Sequence, residues 1–418
     1  MRRGAGPAVL GLWLLVGCGG APQTSPSTAG TIAAPPATSP SPAGTHGPAR
    51  TAVAATPAPT PVAEWSALAF DRPERPAGLE AITLLDDRLV AVGTAGHAGA
   101  AWVLDPGGEW RPATEVPPPP GEREIVVLND VDAGPSGLVA LGWLGIQQSD
   151  AFETVIWTSP DGETWTEAQR IEGTLLASVA AGAAGYVGVG GPGGVTGPQS
   201  LEVWTSPDGT EWSDADIDPS AMGTVISIIA YDGGFLAVGT AEGEDAQGSR
   251  VGVAAVWTSP DGLAWSEAWR ETSAQTILFD VVATNDRLLA VGQIHQPVAD
   301  PAGAGTSVPA AWGSTDGTAW EATPFEPESA MPSAVAAGDG GFVAAGVVGD
   351  DPLEQQLAVW TSGDGASWSL VEQVAQQPPG SLRDVIILPG RVVAVGALTG
   401  EDRNGTTRQP VVVTGPPP

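Results

Sequence analysis

A pair of tryptophans eight residues apart recurs six times along the 418-residue chain, and this repeat constrains the fold more than any other feature. The pairs are Trp102/Trp110, Trp157/Trp165, Trp204/Trp212, Trp257/Trp265, Trp312/Trp320 and Trp360/Trp368. Between the two tryptophans stands a turn-forming segment, such as Thr158–Gly162 with the sequence TSPDG. A motif copied at a regular interval indicates one supersecondary unit that buries its apolar face against the next copy.

An apolar segment that ends in glycine precedes each of these turns, as in Leu89–Gly93. The closing glycines are Gly93, Gly142, Gly190, Gly239, Gly292, Gly346 and Gly396, spaced by 48 to 54 residues. A short turn such as Asn285-Asp286 separates that segment from an earlier apolar run. One period is therefore predicted to contain four short strands, a to d, as a propeller blade does. The sequence predicts an all-β fold, a seven-bladed β-propeller of four-stranded antiparallel blades.

The two ends of the repeat region complement each other. The chain has seven glycine-ending strands but six complete tryptophan turns, because the last copy stops at Pro410–Thr414 without a d strand. An unassigned apolar segment, Glu64–Leu68, stands before the first copy. Pairing of these two segments would complete the seventh blade and leave no sheet edge open. An open solenoid of the same repeats is the alternative.

The segment Ser159–Trp165, SPDGETW, resembles the Asp-box of sialidase-like (BNR-repeat) propellers, although its spacing from Asp to Trp is one residue shorter. The resemblance covers five blades and implies that their aspartates are structural. These are Asp161, Asp208, Asp261, Asp316 and Asp364. The Ser and Asp side chains are expected to accept hydrogen bonds from turn amides, and the following Gly to adopt a positive φ. A calcium site at these turns is the alternative.

The first residues have the pattern of an export signal. Arg2 and Arg3 precede the apolar run Ala8–Val16. Leu15–Cys18, LVGC, resembles a bacterial lipobox, which implies diacylation of Cys18, the single cysteine of the chain, and cleavage before it. An ordinary signal peptide with a chance cysteine is the alternative. We therefore expect an extracytoplasmic protein that is anchored to the bacterial cell membrane by lipidated Cys18.

Composition divides the chain into three parts. Residues 1–18 are the predicted lipoprotein signal peptide. Residues 19–61 are rich in Ala, Pro, Ser and Thr and nearly uncharged, which predicts a disordered tether. Residues 62–418 hold the repeats and are predicted to form the propeller.

The charge of the chain excludes one class of partner. All 16 basic residues are arginines, and against 48 Asp and Glu they leave a net charge of −32. Such a charge repels phosphate backbones and anionic lipid, so no nucleic-acid partner and no membrane contact beyond the anchor are expected. A monomer without a cofactor is predicted.

A binding function, if present, is expected on one face of the disc. The b–c and d–a loops differ in length between copies, whereas the a–b and c–d turns on the opposite face are short and uniform. One position near the start of strand a carries Ala81, Asp130, Ser178, Ser227, Asp280, Ala334 and Asp384 in the seven copies. Its carboxylates and hydroxyls are candidates for binding a cation or sugar hydroxyls, or alternatively for capping backbone amides.

Trp143 and Trp269 lie outside the repeat and are candidates for glycan stacking or local packing.

The resemblance to sialidases does not extend to catalytic residues. The family uses an arginine cluster, a tyrosine nucleophile with a glutamate partner, and an aspartic acid. Here the two tyrosines are Tyr186, inside strand b, and Tyr231, at an a–b turn. The sequence therefore predicts a non-catalytic surface lipoprotein that binds a protein or a carbohydrate through its loop face. The alternatives are a glycoside hydrolase on the same scaffold and an assembly factor for a membrane complex.

Overall fold

The structure is a computed structural model of the chain, and it is built from seven four-stranded antiparallel sheets. It describes residues 62–70, 76–113, 124–146, 152–183, 185–192, 201–215, 223–244, 248, 250–272, 274–296, 306–351, 353–402 and 405–418. The predicted signal peptide, Cys18 and the tether to residue 61 lie outside these residues. The predicted seven-bladed β-propeller is confirmed.

The first four blades follow one another in chain order, each with strands a to d. Blade 1 contains β2 (Ala77–Leu85), β3 (Arg88–Ala95), β4 (Ala98–Leu104) and β5 (Arg111–Pro112). Blade 2 contains β6 (Glu124–Gly134), β7 (Gly137–Ile146), β8 (Phe152–Ser159) and β9 (Thr166–Glu172). Blade 3 contains β10 (Thr174–Gly182), β11 (Gly185–Pro192), β12 (Glu202–Ser206) and β13 (Ser213–Asp214). Blade 4 contains β14 (Thr224–Tyr231), β15 (Gly234–Glu244), β16 (Arg250–Ser259) and β17 (Ser266–Arg270).

Blades 5 to 7 complete the ring. Blade 5 contains β18 (Thr276–Ala283), β19 (Leu288–Gln296), β20 (Thr306–Ser314) and β21 (Glu321–Pro324). Blade 6 contains β22 (Ala330–Gly338), β23 (Gly341–Val348), β24 (Gln356–Ser362) and β25 (Ser369–Leu370), and the short helix α1 (Glu372–Ala375) follows it. Blade 7 contains β26 (Gly380–Leu388), β27 (Arg391–Asp402), β28 (Gly405–Gly415) and β1 (Ser66–Ala69). Within the described residues, no helix is long and apolar enough to cross a bilayer.

The seventh blade takes its outer strand from the beginning of the propeller. Strand β1 pairs antiparallel with β28, from Ser66 opposite Thr414 to Ala69 opposite Val411. The indole of Trp65, the residue before this strand, packs with Ala67 against the core between blades 6 and 7. The predicted closure of the ring is therefore confirmed, with a strand that begins two residues later than expected. Pairing of the two ends removes an open edge that could recruit other chains.

The first tryptophan of the repeat lies in strand c and fills the space between neighbouring blades. The Trp257, Trp312 and Trp360 side chains are fully buried. Trp257 of blade 4 packs with Val189 and Val203 of blade 3. Because each core cluster joins two blades, the large apolar surface of these rings stabilises blade–blade contacts rather than one isolated sheet.

Every inner strand has a β-bulge at the same place. One residue of strand a is left without a partner in strand b, immediately after the residue that faces the repeat glycine. The extra residues, which we call the bulge ring, are Glu80, Asn129, Ala177, Ile226, Phe279, Ser333 and Arg383. A Cβ at the glycine would crowd a carbonyl oxygen of strand a, as at Gly292 and Ile277. The periodic glycines are therefore explained by the bulge they face.

Candidate functional site

The position that follows the bulge carries the polar residues predicted to surround the channel, and we call its seven members the polar ring. They are Ala81, Asp130, Ser178, Ser227, Asp280, Ala334 and Asp384. The members from blades 2 to 5, together with Asp132 and Ile229, line a cavity of about 300 Å³. The structure thus brings four of the five predicted polar residues to one cavity, while Asp384 lies on blade 7 outside its lining.

Each carboxylate of the polar ring accepts backbone N–H groups from two blades. Asp130 Oδ1 accepts the amide of Val131 in its own strand at 2.8 Å, and Oδ2 accepts the amide of Val179 in blade 3 at 2.8 Å. Asp384 does the same with Val385 at 2.7 Å and with Ile82 of blade 1 at 2.8 Å. These carboxylates therefore join adjacent blades.

Asp280 repeats this arrangement, and the serines complete it. Asp280 accepts the amide of its neighbour Val281 and, at 2.8 Å, that of Val335 in blade 6. The Ser227 hydroxyl donates to Asp280 at 2.7 Å, and the Ser178 hydroxyl accepts the amide of Ile228 at 3.4 Å.

Together these contacts provide an acceptor for the amide that follows the polar ring in all seven blades. The amides are those of Ile82, Val131, Val179, Ile228, Val281, Val335 and Val385. Strand a is the inner edge of its sheet, so its outward amides have no strand partner and would otherwise face the channel. Alanine occurs at positions 81 and 334, where the aspartate of the preceding blade accepts the following amide: Asp384 that of Ile82, and Asp280 that of Val335. The mixture of Asp, Ser and Ala is therefore explained as a capping system.

Burial raises the pKa values of the carboxylates in the channel. The Asp130, Asp280 and Asp384 side chains keep part of their surface open to the channel, yet protein surrounds them, and the resulting desolvation is the main cause. The pKa of Asp280 is raised to about 6 and that of Asp384 to about 8, where repulsion from Asp280 and Asp130 adds to desolvation. Burial also raises the pKa of Asp132 to about 6.

Replacing Asp384 with alanine should lower the free energy of unfolding by about 2–4 kcal/mol, because the amides of Ile82 and Val385 each lose their acceptor. Asp384→Asn retains one acceptor oxygen and should lower it by about half as much. Urea denaturation of the two variants beside the wild-type chain measures the difference. Equal stability of Asp384→Ala and the wild type would contradict a capping role.

Stability should fall as the pH rises from about 5 to about 8. The folded chain holds the pKa values of Asp132 and Asp280 at about 6 and of Asp384 at about 8, above the ordinary 3.8, so it binds more protons than the unfolded chain across this range. The stabilisation that proton binding provides is present at the acidic end of this range. It is lost as the pH rises through the folded-state pKa values. Thermal unfolding midpoints measured across this range test it, and midpoints that rise steadily towards pH 8 would contradict it.

The five Ser-Asp turns lie on the opposite face and are held by their own backbone. In blade 4, Asp261 Oδ1 accepts the amides of Leu263 and Ala264 at 2.9 Å, and Ser259 Oγ accepts that of Gly262 at 2.9 Å. Gly262 has a φ of 80°, and its carbonyl accepts the Trp265 indole N–H at 2.9 Å.

The same pattern of acceptors recurs at the other four aspartates. Asp161, Asp208, Asp316 and Asp364 each accept turn amides or hydroxyls through the same carboxylate oxygen. Hydrogen bonds to the ionised form lower the pKa of each, to about 2 for Asp364. Among the described residues, no group of three acidic, histidine or cysteine side chains is arranged to hold a metal ion.

The two tryptophans outside the repeat have different surroundings. Trp269 packs against the second repeat tryptophan of blade 5, Trp320, with ring centroids 6.4 Å apart. Trp143 lies in β7 directly opposite Val127, close to the loop face, and is half-buried. Of the two, Trp143 is the one placed beside the channel mouth.

Sequence reasoning missed the bulge ring. Strand a begins at the loop face, so the bulge ring lies between that face and the polar ring. Glu80 forms ion pairs with Arg408 at 3.1 Å and with Arg383 at 3.5 Å, where blades 7 and 1 meet. The Asn129 amide donates to the carbonyl of Ala177 at 2.8 Å. The sequence holds no signal for this ring, because another strand a position, that of Gly78, Val127 and Ile277, varies as much between blades.

Comparison with known proteins shows a likeness in fold. No model of a known protein family matches the sequence, and no curated protein matches it. The WD40 domain of Neurospora crassa Pan2 is similar with a TM-score of 0.51 and 11% identity, over 87% of this chain and 98% of that one. Trypanosoma rangeli sialidase, solved with the inhibitor DANA, gives a TM-score of 0.43 and 13% identity, over 81% of this chain and 55% of that one. A prolyl endopeptidase gives 0.42 and 11%, over 81% and 50%.

The chain therefore spans about half the length of the sialidase and of the endopeptidase. At 11% identity, the likeness to the Pan2 WD40 domain supports the propeller fold alone.

Proposed function

We propose that this chain is an exported, lipid-anchored propeller that binds a partner protein through its loop face and catalyses no reaction. The observation that carries the proposal is the unequal reach of the b–c hairpins on that face. Strands b and c stay paired for five residues beyond the repeat glycine in blade 4 and for six in blade 7. In blades 1 and 6 they stay paired for only two. Variation in projecting segments on a rigid scaffold is typical of a binding surface.

The channel supports this assignment because its carboxylates already have backbone partners. Asp130 and Asp384 use both oxygens to cap amides of two blades. The opposite face carries five turns with nearly identical internal hydrogen bonds, as at Asp261 and Asp316. A structural use of the channel and of the turns leaves the loop face as the variable surface of the disc.

A photo-crosslinking residue placed at Glu244, at the exposed end of the blade 4 hairpin, should link the displayed protein to its partner. The matched control is the same residue at Leu263, which is 53% exposed in a turn of the opposite face. Cross-links at position 263 alone would contradict binding through the loop face. Turnover of a panel of polysaccharides and sialosides by the purified chain would contradict the non-catalytic assignment.

The anchor is tested separately by replacing Cys18 with serine. The full chain should incorporate labelled palmitate and sediment with membranes, whereas Cys18→Ser should lose the label and the sedimentation. Equal labelling of both chains would contradict lipidation at this cysteine.

A further inference from the structure

The bulge ring carries a different residue in every blade. The residue before it is apolar and buried in all seven copies: Leu79, Leu128, Leu176, Val225, Leu278, Pro332 and Leu382. The second residue after it is a buried Ile or Val in all seven: Ile82, Val131, Val179, Ile228, Val281, Val335 and Val385. The bulge ring itself reads Glu, Asn, Ala, Ile, Phe, Ser and Arg. The fold therefore dictates the flanking residues but not this one.

Members of the bulge ring remain half-buried near the loop face. These residues are partly exposed in all seven blades, although the residue before each of them is fully buried. Bulges redirect a side chain away from the regular alternation of a strand and are common beside binding sites. A position that is partly accessible, redirected by the backbone and free of repeat constraint is suited to recognising a partner.

The ring has two chemically different sides. Blades 3 to 5 contribute Ala177, Ile226 and Phe279, which we call the apolar arc, and none of the three belongs to a core cluster of the described residues. The half-buried Ile277 and Met331 lie two residues nearer the loop face, in blades 5 and 6. Across the channel stand Arg383 and Glu80, which pair with each other. Partly open apolar residues faced by polar groups are typical of a protein-binding site.

The chemistry of the arc and the charge of the chain favour one kind of occupant. Aliphatic and phenyl groups offer no hydrogen-bond partners for sugar hydroxyls, but they can bury a bulky apolar side chain. The net charge of −32 and the exposed Glu244 on this face favour a basic partner, whereas the neighbouring Glu242 already pairs with Arg250.

We infer that the apolar arc Ala177–Ile226–Phe279 binds a bulky apolar side chain of a partner segment whose flanking residues are Lys or Arg. This inference rests on the proposed function and names the partner chemistry of that face. Arg383 and Glu80 are paired on the opposite side of the ring, so the peptide is placed over blades 3 to 5.

The test is selection of a phage-displayed library of random linear peptides on the wild-type chain. Enriched peptides should share a bulky apolar residue flanked by Lys or Arg. A synthetic peptide of that consensus should bind the double variant Ile226→Ser/Phe279→Ser at least about tenfold more weakly than the wild type in calorimetric titration. Leu263→Ser, which removes an exposed apolar side chain from the opposite face, should leave the affinity unchanged. Thermal unfolding midpoints confirm that both variants are folded.

Enrichment of no consensus, of acidic sequences, or of sequences without a bulky apolar residue would overturn the inference. So would equal affinity of the double variant and the wild type. In each of these cases, cross-linking from position 244 but not from position 263 would still support binding through the loop face. Only the inference about the apolar arc would then fail. Failure of both experiments would overturn the proposed function as well.

Discussion

Gly292→Ala is expected to lower the free energy of unfolding by about 3 kcal/mol, although it adds a single methyl group. The new Cβ would overlap the carbonyl oxygen of Ile277, which belongs to the backbone of the inner strand and cannot rotate away. To relieve this overlap, blade 5 would have to lose the bulge at Phe279 or separate strand a from strand b. The shift in the urea midpoint gives the change in the free energy of unfolding, provided that this free energy depends on urea concentration with the same slope in both chains.

The matched control is Gly363→Ala in the Ser-Asp turn of blade 6. A Cβ at this position would meet no atom within 4 Å, so its effect should stay within about 0.5 kcal/mol. If both substitutions had the same small effect, the glycine repeat would need an explanation other than the bulge.

Removal of residues 1–69 should lower the free energy of unfolding by about 4 kcal/mol or more, because it deletes strand β1 and the partly buried indole of Trp65. The loss also exposes the edge of β28 from Val411 to Thr414, which is expected to pair with other copies of the chain. Lower thermal stability should therefore be accompanied by association, which light scattering detects.

A chain that lacks residues 1–61 keeps β1 and is the control for this deletion. Its unfolding midpoint should equal that of the chain with the tether. Should the chain lacking residues 1–69 remain monomeric and equally stable, the pairing of Ser66 with Thr414 would contribute nothing to closure.

The architecture could be predicted because two features recur in every blade or nearly every blade. The tryptophan pairs mark the c–d hairpins, and glycines such as Gly93 and Gly396 mark strand b. Because there are seven such glycines but six tryptophan pairs, one d strand is missing from the repeat. Glu64–Leu68 was then the apolar segment available to supply it, and the structure places the strand at Ser66–Ala69.

The bulge could not be predicted, because nothing in an apolar run shows which residue lacks a cross-strand partner. The glycine of strand b was visible as a repeated feature, but its clash partner is a backbone carbonyl, which leaves no trace in the sequence. For the same reason Ile226 and Phe279 looked like ordinary strand residues.

The polar position was recognised, and both uses considered for it remained open until the hydrogen bonds were known. One of these uses was the capping of backbone amides. In the structure Asp130 and Asp384 cap amides of their own strand and of the next blade. That geometry depends on the ring bringing strand a of adjacent blades side by side, which no local sequence pattern specifies.

The two rings divide the channel between stability and recognition. The polar ring supplies hydrogen-bond acceptors for the backbone amides at the inner edges of the sheets, as buried amides require. The bulge ring, one residue nearer the loop face, is left free to vary. A repeat protein can in this way change what it binds without disturbing the contacts that hold its blades together.

The most direct test of this division is the affinity of the selected peptide for Asp384→Ala and Phe279→Ser, measured at a temperature where both are folded. The account predicts that Asp384→Ala binds as the wild-type chain does despite its lower stability, whereas Phe279→Ser, which leaves every capped amide with its acceptor, binds weakly. Loss of affinity in Asp384→Ala with full affinity in Phe279→Ser would contradict it.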